Sequence, residues 1–536
     1  MAIPVLFLVQ VLLVPPFGNF PLNDDWTAAL SVQAFVEHGE IYYPSWLSAM
    51  SHVPILYGIL ATKLFGFSFV VLRVGTLLLS LASAMVLYAV LRRMRVVESE
   101  AVMLTGLLCV NPLYMSVSYT FLSDIPALFL LVLSVYCFVR AAKERPNTLL
   151  LLLAALVSVV GFFTRQVNIL WLAAMGSVVA KWVWDKRYSA RQLLVAFGQP
   201  AVLCVVLYVV LGQVHLLPGQ IGARFLPDGF SYMETFCKNI WQFTVLLGLF
   251  FSPLTLSILA ANRECRHSQR LGIFVVTGAG LAIVMGCLLT DFQFMGNIIS
   301  HYGLGTTRAV MQGDLIVWGR EWWYVVLYII GGGLVGALSF LLYEYRALFN
   351  LKSSTVRACL IFIALYGGLL SIIQAYDRYI LLLIPLLLIL LVPLLTLRYS
   401  KMVMIALLLA QWSYGIVGTH NYLAWQQARW QLSDRLLSRS IAPEKIEGGY
   451  EWDGWQYYRQ TRGAPLGTVT PFWAPWYVND LYSGHLMQFI VAFSPLGGYK
   501  VFDSQAVDGW LYFPIKRIYA NQVVPKNPKA AEVFKK

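Results

Sequence analysis

Long apolar runs broken by short polar stretches organise the chain from its first residues to about residue 418. The runs lie near 2–15, 68–91, 101–118, 124–141, 148–164, 166–184, 192–213, 239–261, 271–290, 323–343, 357–375, 379–397 and 401–418. Most approach the ~20 residues that cross a bilayer as a helix. Lipid offers a backbone no hydrogen-bond partner, so such runs must satisfy themselves as helices. After residue 419 the pattern changes, and polar and aromatic stretches alternate without a spanning run. There 421–438 reads as a helix, and 488–493, 499–502 and 510–519 read as strands. The expected fold is a polytopic α-helical membrane protein of about 13 transmembrane helices with a small C-terminal α/β domain. Residues 1–418 form the transmembrane part and 419–536 the C-terminal domain.

Charge orients the bundle. Of 536 residues, 59% are hydrophobic and 12% charged, against about 25% charged in soluble domains, and the formal net charge is +13. The cations cluster in alternate connections: Arg92, Arg93 and Arg95; Arg140, Lys143 and Arg145; Lys181 to Arg191; Arg263 to Arg270; Arg346 to Arg357; Arg398 and Lys401. Short cation-rich loops mark the cytoplasmic side, not a nucleic-acid face. The N-terminus is then cytoplasmic. Loops 16–67, 214–238 and 291–322 and everything after 419 face outward. The run 3–14 has no basic residue before it, so a retained helix is expected rather than a cleaved signal. The 7 cysteines show no CxxC spacing, and no disulfide framework or structural zinc site is expected.

The chemistry-bearing residues sit on the outward side. In LNDDWTAALSVQAFVEHGE, Asn23 can cap a helix whose first turn holds Asp24 and Asp25. Apolar residues at roughly helical spacing after them predict an amphipathic helix along the membrane surface. A carboxylate kept ionised at a helix start can accept a proton from a hydroxyl. Two acids at a helix start also serve simply as cap and dipole complement. Asp124 opens the run after FLS, where it can be a cap or a functional ionisable group at a membrane edge. Arg378, in AYDRYILLLIP, and Arg165, in GFFTRQ, lie at outer ends of spans, where interfacial anchoring is the plain alternative. The stretches 420–430 and 447–456 are dense in aromatics and read first as a membrane-interface belt. His420 and Asp453 within them read first as surface or structural residues, with a functional role as the alternative.

The pieces NDDW (23–26), SHVPILYG (51–58), FLSDIPALF (121–129), GFFTRQ (161–166), NIISHYGLG (297–305) and DRYILLLIP (377–385) occur in an order that resembles the GT-C glycosyltransferases. The nearest branch is the protein-mannosyltransferase and aminoarabinose-transferase group (glycosyltransferase family 39 and RgtA/B/C/D-like bacterial proteins). The resemblance implies an inverting transfer of a sugar from a polyprenyl-phosphate donor to an extracytoplasmic acceptor, whether lipopolysaccharide or another glycolipid, a polysaccharide or a protein. It implies Asp24 as the base, Asp25 where relatives often carry Glu, and Asp124 as a second carboxylate that positions substrate. Arg378, then Arg165, would hold the donor phosphate. His52 stands where the aminoarabinose enzymes have Lys, and would join the arginines at the phosphate. His301, Tyr302 and Arg308 would contact the acceptor. No cofactor and no divalent metal are expected; the partners are the lipid-linked sugar, its acceptor and membrane lipids, with no nucleic acid. The sugar-binding module of eukaryotic protein mannosyltransferases is absent, which weakens a protein acceptor. Two other readings stay open: a flippase or transporter for a lipid-linked sugar, and a surface-polysaccharide polymerase or ligase.

Topology gives the first test. A reporter enzyme active only outside the cytoplasm, fused after Lys536, should be active. Activity only from a cytoplasmic reporter would overturn the assigned orientation.

Overall fold

The computed structural model describes residues 2–44, 46–47, 49–142, 146–217, 231–290, 292, 294–300, 303–305, 310–313, 320–373, 375–458, 487–511 and 513–524. Among these, nine helices are long and apolar enough to cross a membrane, from Phe69–Arg93 to Lys401–Ser438. Two more apolar runs are broken helices, Glu98–Cys109 with Pro112–Ser118, bent by 65°, and Tyr232–Phe250 with Ser252–Ala261, bent by 55°. Counting each pair as one span gives eleven, against about thirteen expected. The other two runs form the shorter helices Ala2–Leu13 and Thr148–Phe162. Pro15 and Pro16 stop the first, and the turn at 163–168 stops the second. The first break has a local cause. Asn111 caps the new helix by accepting from the N–H groups of Leu113 and Tyr114, and Pro112 at its first position lacks only an N–H that no helix partner would use.

The bundle core runs through Leu108, Leu128, Trp171, Phe362 and Leu388, all fully buried. Its periphery carries exposed Val202, Val205, Ile273, Val276 and Leu288, the apolar surface that lipid covers in a multi-span membrane protein. Helices Gln269–Met285 and Arg320–Glu344 approach backbone to backbone. A Cβ on Gly278 would meet the Gly332 carbonyl oxygen at 2.3 Å, and one on Gly336 the Phe274 oxygen at 2.1 Å. Small residues permit that approach.

The helix Lys401–Ser438 crosses the boundary expected at 418/419 without a break. Its first half exposes Met402, Ile405 and Leu409, whereas from Gly415 to Leu436 most side chains are buried. The apolar run ends because the helix exchanges lipid for a protein core that tolerates polar groups. That core joins Trp425, Trp430 and Leu432 to Phe20, Leu22 and Trp26 of the first loop and to Phe489, Val491 and Ile518 of a four-stranded sheet. The sheet order is Ile446–Glu447, Phe489–Ala492, Arg517–Gln522, Lys500–Ala506; the first pair is parallel and the others antiparallel. The first two expected strands are present, but the last lies at Arg517–Gln522 rather than over 510–519.

The helix Asp25–His38 departs from the expected surface-lying amphipathic helix. Residues Asp25 to Val32 are buried. Ala29 and Val32 pack with Leu72 and Phe121, while Trp26 and Leu30 join the core under the sheet. Its apolar face is covered by protein on both sides, so lipid is not its partner. Arg73, fully buried in helix Phe69–Arg93, fixes the chain just before Asp25–His38 by donating to the carbonyls of Phe17, Gly18 and Phe20.

Asp25 anchors this helix. One carboxylate oxygen accepts from the Leu22 N–H at 2.7 Å and the other from the Phe121 N–H at 3.1 Å. Burial pushes its carboxyl up from 3.8 to about 8, against the pull of Arg73 and the two N–H groups. The folded-state value exceeds that of an unfolded carboxyl. Folding therefore takes up a proton between these values, and this part of stability weakens as pH rises through the same window. Asp25→Asn cannot ionise. In thermal melts between about pH 5 and pH 8 it should flatten the pH dependence shown by the wild type. An unchanged slope would mean that the carboxyl stays ionised on folding.

Candidate active site

Three helices begin at one place. Asp24 is the residue before helix Asp25–His38, Asp124 opens Asp124–Ala141, and Asp377 and Arg378 open the segment Asp377–Leu382 that leads into Ile384–Leu391. The first turns of helices present unpaired N–H groups and a partial positive charge. Arg165 joins them from the turn before Ile169–Trp184. That turn is held in register by Asn168, which donates to the Ala127 carbonyl at 3.1 Å.

The four ionised side chains form a row of alternating sign. Arg378 Nη2 donates to Asp24 Oδ2 at 2.8 Å. Arg378 Nε lies 3.9 Å from Asp124 Oδ2, and Arg165 Nη1 donates to Asp124 Oδ1. The Arg165 guanidinium sits 4.4 Å from the Tyr379 ring centroid, and that of Arg378 lies 5.8 Å from those of Tyr376 and Tyr379. These are cation–π distances that hold the planes in place. The Asp24 side chain keeps 36% of its surface exposed, whereas those of Asp124 and Arg378 are at 6% and 8%. Asp24 is thus the accessible end of a buried row. Among the described residues, Arg378 Nε and Nη1 have no hydrogen-bond partner although both are buried. Donors in that condition call for an acceptor.

Arg378 is aimed by its neighbour. The Asp377 carboxylate accepts from the N–H groups of Asn297, Ile298, Ile299 and Arg378, the shortest at 2.6 Å from Ile299. It ties segment 294–300 to the start of the span. Asn23, in a left-handed conformation at φ 56°, donates its amide to Asn297 Oδ1 at 2.7 Å. Asn tolerates that backbone better than most residues.

The C-terminal region reaches the same point. Tyr450 Oη donates to Asp24 Oδ1 at 2.6 Å, and Glu451 Oε1 accepts from the Asn23 N–H at 3.1 Å. Glu451 is fully buried and pairs with Arg429 at 2.8 Å and with Gln426 at 3.0 Å. These partners were missed in the sequence, where 447–456 read as an interface belt. The signal available was the acid Glu451 inside an aromatic stretch, since a buried acid demands a partner.

The remaining candidates fall elsewhere. Asp25 faces backbone N–H groups, away from the row. His52 opens helix His52–Phe65, and both its ring nitrogens lie 3.1 Å from carbonyl oxygens, of Phe163 and Leu216. Both nitrogens are thus already engaged with the backbone and face away from the row; burial lowers the pKa of the ring. His301, Tyr302 and Arg308 lie outside the described residues. His420 stacks on Trp510 with centroids 3.8 Å apart, and Asp453 accepts from the Gly448 N–H at 2.9 Å. Among the described residues no three His, Cys, Asp or Glu side chains gather as a metal site. Asp24 and Asp124 already carry arginine partners, a donor set that does not suit a divalent ion.

Comparisons with known proteins bear on part of this site. Residues 52–211 match a family described as dolichyl-phosphate-mannose-protein mannosyltransferase. No curated protein matches the chain. Among solved structures, ArnT from Cupriavidus metallidurans in the apo state is 14% identical, covering 83% of this chain and 81% of that one at a TM-score of 0.37. ArnT bound to undecaprenyl phosphate is 12% identical over 83% and 80%, at 0.36. The oligosaccharyltransferase of Archaeoglobus fulgidus in its apo form is 14% identical over 72% and 55%, at 0.29. Likenesses at such TM-scores say nothing about individual residues. The family match includes His52, Asp124 and Arg165 and leaves out Asp24, Arg378 and Tyr450. Over residues 52–211, then, the chain is similar to the dolichyl-phosphate-mannose-protein mannosyltransferases, in keeping with the GT-C resemblance of its own motifs.

Proposed function

We propose that this membrane protein is an inverting glycosyltransferase that moves a sugar from a polyprenyl-phosphate donor to a hydroxyl of a glycolipid, polysaccharide or protein. We place the reaction on the periplasmic side of a bacterial inner membrane, where the cation-rich loops orient the acidic pair. One observation carries the reading. A partly exposed carboxylate, Asp24, is held by Arg378, whose Nη1 is buried without a hydrogen-bond partner while its Nε faces Asp124. Asp24 accepts the proton of the acceptor hydroxyl as that oxygen attacks the anomeric carbon. The bond from that carbon to the phosphate oxygen breaks, and its electron pair leaves with the polyprenyl phosphate. A single displacement inverts the centre. The Nη1 end of Arg378 stabilises the charge that grows on the leaving phosphate, and the planar fork of Arg suits that geometry. Asp124 and Arg165 hold Arg378 in line. With arginines in this role, turnover is expected without a divalent cation.

The test uses the purified protein in liposomes with a labelled polyprenyl-monophosphate sugar, in EDTA. Transfer to acceptor is expected. Asp24→Asn should lose at least about a hundredfold in turnover, the scale of general-base catalysis, yet still co-purify donor lipid. Arg378→Lys keeps the charge but loses the fork, and should cost about tenfold to a hundredfold. Label crossing the bilayer with no transfer would replace this reading by a flippase. A normal rate in Asp24→Asn would remove the base.

A further inference from the structure

Asp24 has two carboxylate oxygens, and Arg378 takes only one of them. The other is met by a residue from a distant part of the chain. Tyr450 Oη lies 2.6 Å from Asp24 Oδ1 and also 2.8 Å from Trp46 Nε1. An indole N–H can donate but not accept, so the Tyr450 oxygen is the acceptor of that bond. Its single proton is then directed at Asp24. The direction of the Tyr450–Asp24 bond is fixed by the molecule, not left to a freely rotating hydroxyl.

The surroundings hold Tyr450 there. Gly449 adopts φ 91°, and a Cβ on it would meet Arg429 Nη1 at 2.6 Å and the Val310 oxygen at 2.7 Å. Only glycine passes this turn. The Tyr450 N–H donates to that same Val310 oxygen at 2.8 Å, and its ring packs edge-on to Trp26. The next residue, Glu451, binds the N–H of Asn23, the residue before Asp24. Residues 450–451 thus clamp residues 23–24, two against two. The Arg429–Glu451 pair, fully buried, backs the clamp from helix Lys401–Ser438.

We propose that Tyr450 is a positioning residue for Asp24, so that the C-terminal region supplies part of the active site. This rests on the reading of Asp24 as base. With Oδ2 held by Arg378 and Oδ1 by Tyr450, the carboxylate plane cannot rotate. One lone-pair direction per oxygen remains for the acceptor proton. A base misoriented by a small angle loses rate without losing substrate affinity.

The test compares Tyr450→Phe, Trp46→Phe, Asp24→Asn and Asp24→Glu in the full-length protein, reading kcat, KM for the donor lipid and melting temperature. Tyr450→Phe keeps the ring and removes only the hydroxyl. Its kcat should fall about tenfold to a hundredfold, the scale of a hydrogen bond to a charged group, with KM within about twofold and an unchanged melt. Trp46→Phe should lower kcat in the same direction, by less. In the Asp24→Glu background, where the carboxylate is displaced by one methylene, Tyr450→Phe should cost little more. A wild-type kcat in Tyr450→Phe, or a loss that tracks the melt or persists in full in Asp24→Glu, would overturn the proposal. If Asp24→Asn is dead while Tyr450→Phe is normal, only the role of Tyr450 falls. If Asp24→Asn is fully active, the base reading falls first, and Tyr450 with it.

Discussion

The ion pair of Asp24 and Arg378, 2.8 Å apart, ties a loop residue to the start of a span 354 positions later in the chain. Everything near it is arranged to keep that pair aligned. A guanidinium withdrawn from water needs compensating charge, or its desolvation would exceed what any single contact returns. Arg378 has it on both flanks, from Asp24 and from Asp124, and Arg165 then balances Asp124. The backbone follows the charges. Asp377 gathers four N–H groups to set the start of the span, and Asn23 takes a left-handed conformation so that Asp24 can follow it toward the arginine.

The row as it stands is neutral: two carboxylates and two guanidinium groups. Under the proposed chemistry that neutrality is the useful state. The donor phosphodiester carries one negative charge, and the leaving polyprenyl phosphate gains a second as the bond to the sugar breaks. Asp24 loses its charge in the same step by taking the acceptor proton. The row therefore turns net positive by one unit as the leaving group turns more negative by one. Arg378 spans both events, with Nη2 on Asp24, Nε facing Asp124 and Nη1 without a partner. Its attraction to Asp24 weakens when its attraction to the phosphate is needed. Interactions that strengthen only in the transition state are those that raise kcat.

Much of this was legible in the sequence, for a physical reason. An ionisable residue at the end of an apolar run stands out because lipid excludes charge, and Asp124, Arg165 and Arg378 occupy such positions, while Asp24 stands out as half of an acidic pair at a helix start. What stayed hidden depended on distant partners. Asp24 and Asp25 are neighbours at one helix start. Which of them meets Arg378 and which faces backbone depends on partners such as Phe121, 96 residues away from Asp25. The periodicity of Asp25–His38 announced an apolar face but not what covers it. Protein filled the place assigned to lipid. The boundary at 418/419 was drawn where hydropathy falls, yet a helix can outlast the lipid it crosses. Tyr450 had no local signal of its function, because a belt aromatic and a site aromatic have the same composition.

The clamp between residues 450–451 and 23–24 also constrains how substrates can enter. Arg429 and Glu451 are both fully buried, and separating them would leave a charge unpaired in the interior, at a cost of about 3–5 kcal/mol. Glu447 and Asp453 are buried beside them, and burial with the repulsion of Glu447 pushes the Asp453 carboxyl well above its ordinary value. This region is joined to the rest of the chain by the contacts of Tyr450 with Asp24 and of Glu451 with Asn23, and by the core it shares with Phe20, Leu22 and Trp26. Under the proposed chemistry, a route that opened by raising the C-terminal region would break the clamp and release Asp24 at the same moment. Approach along the membrane plane would leave the clamp closed and suit a donor whose tail stays in the lipid.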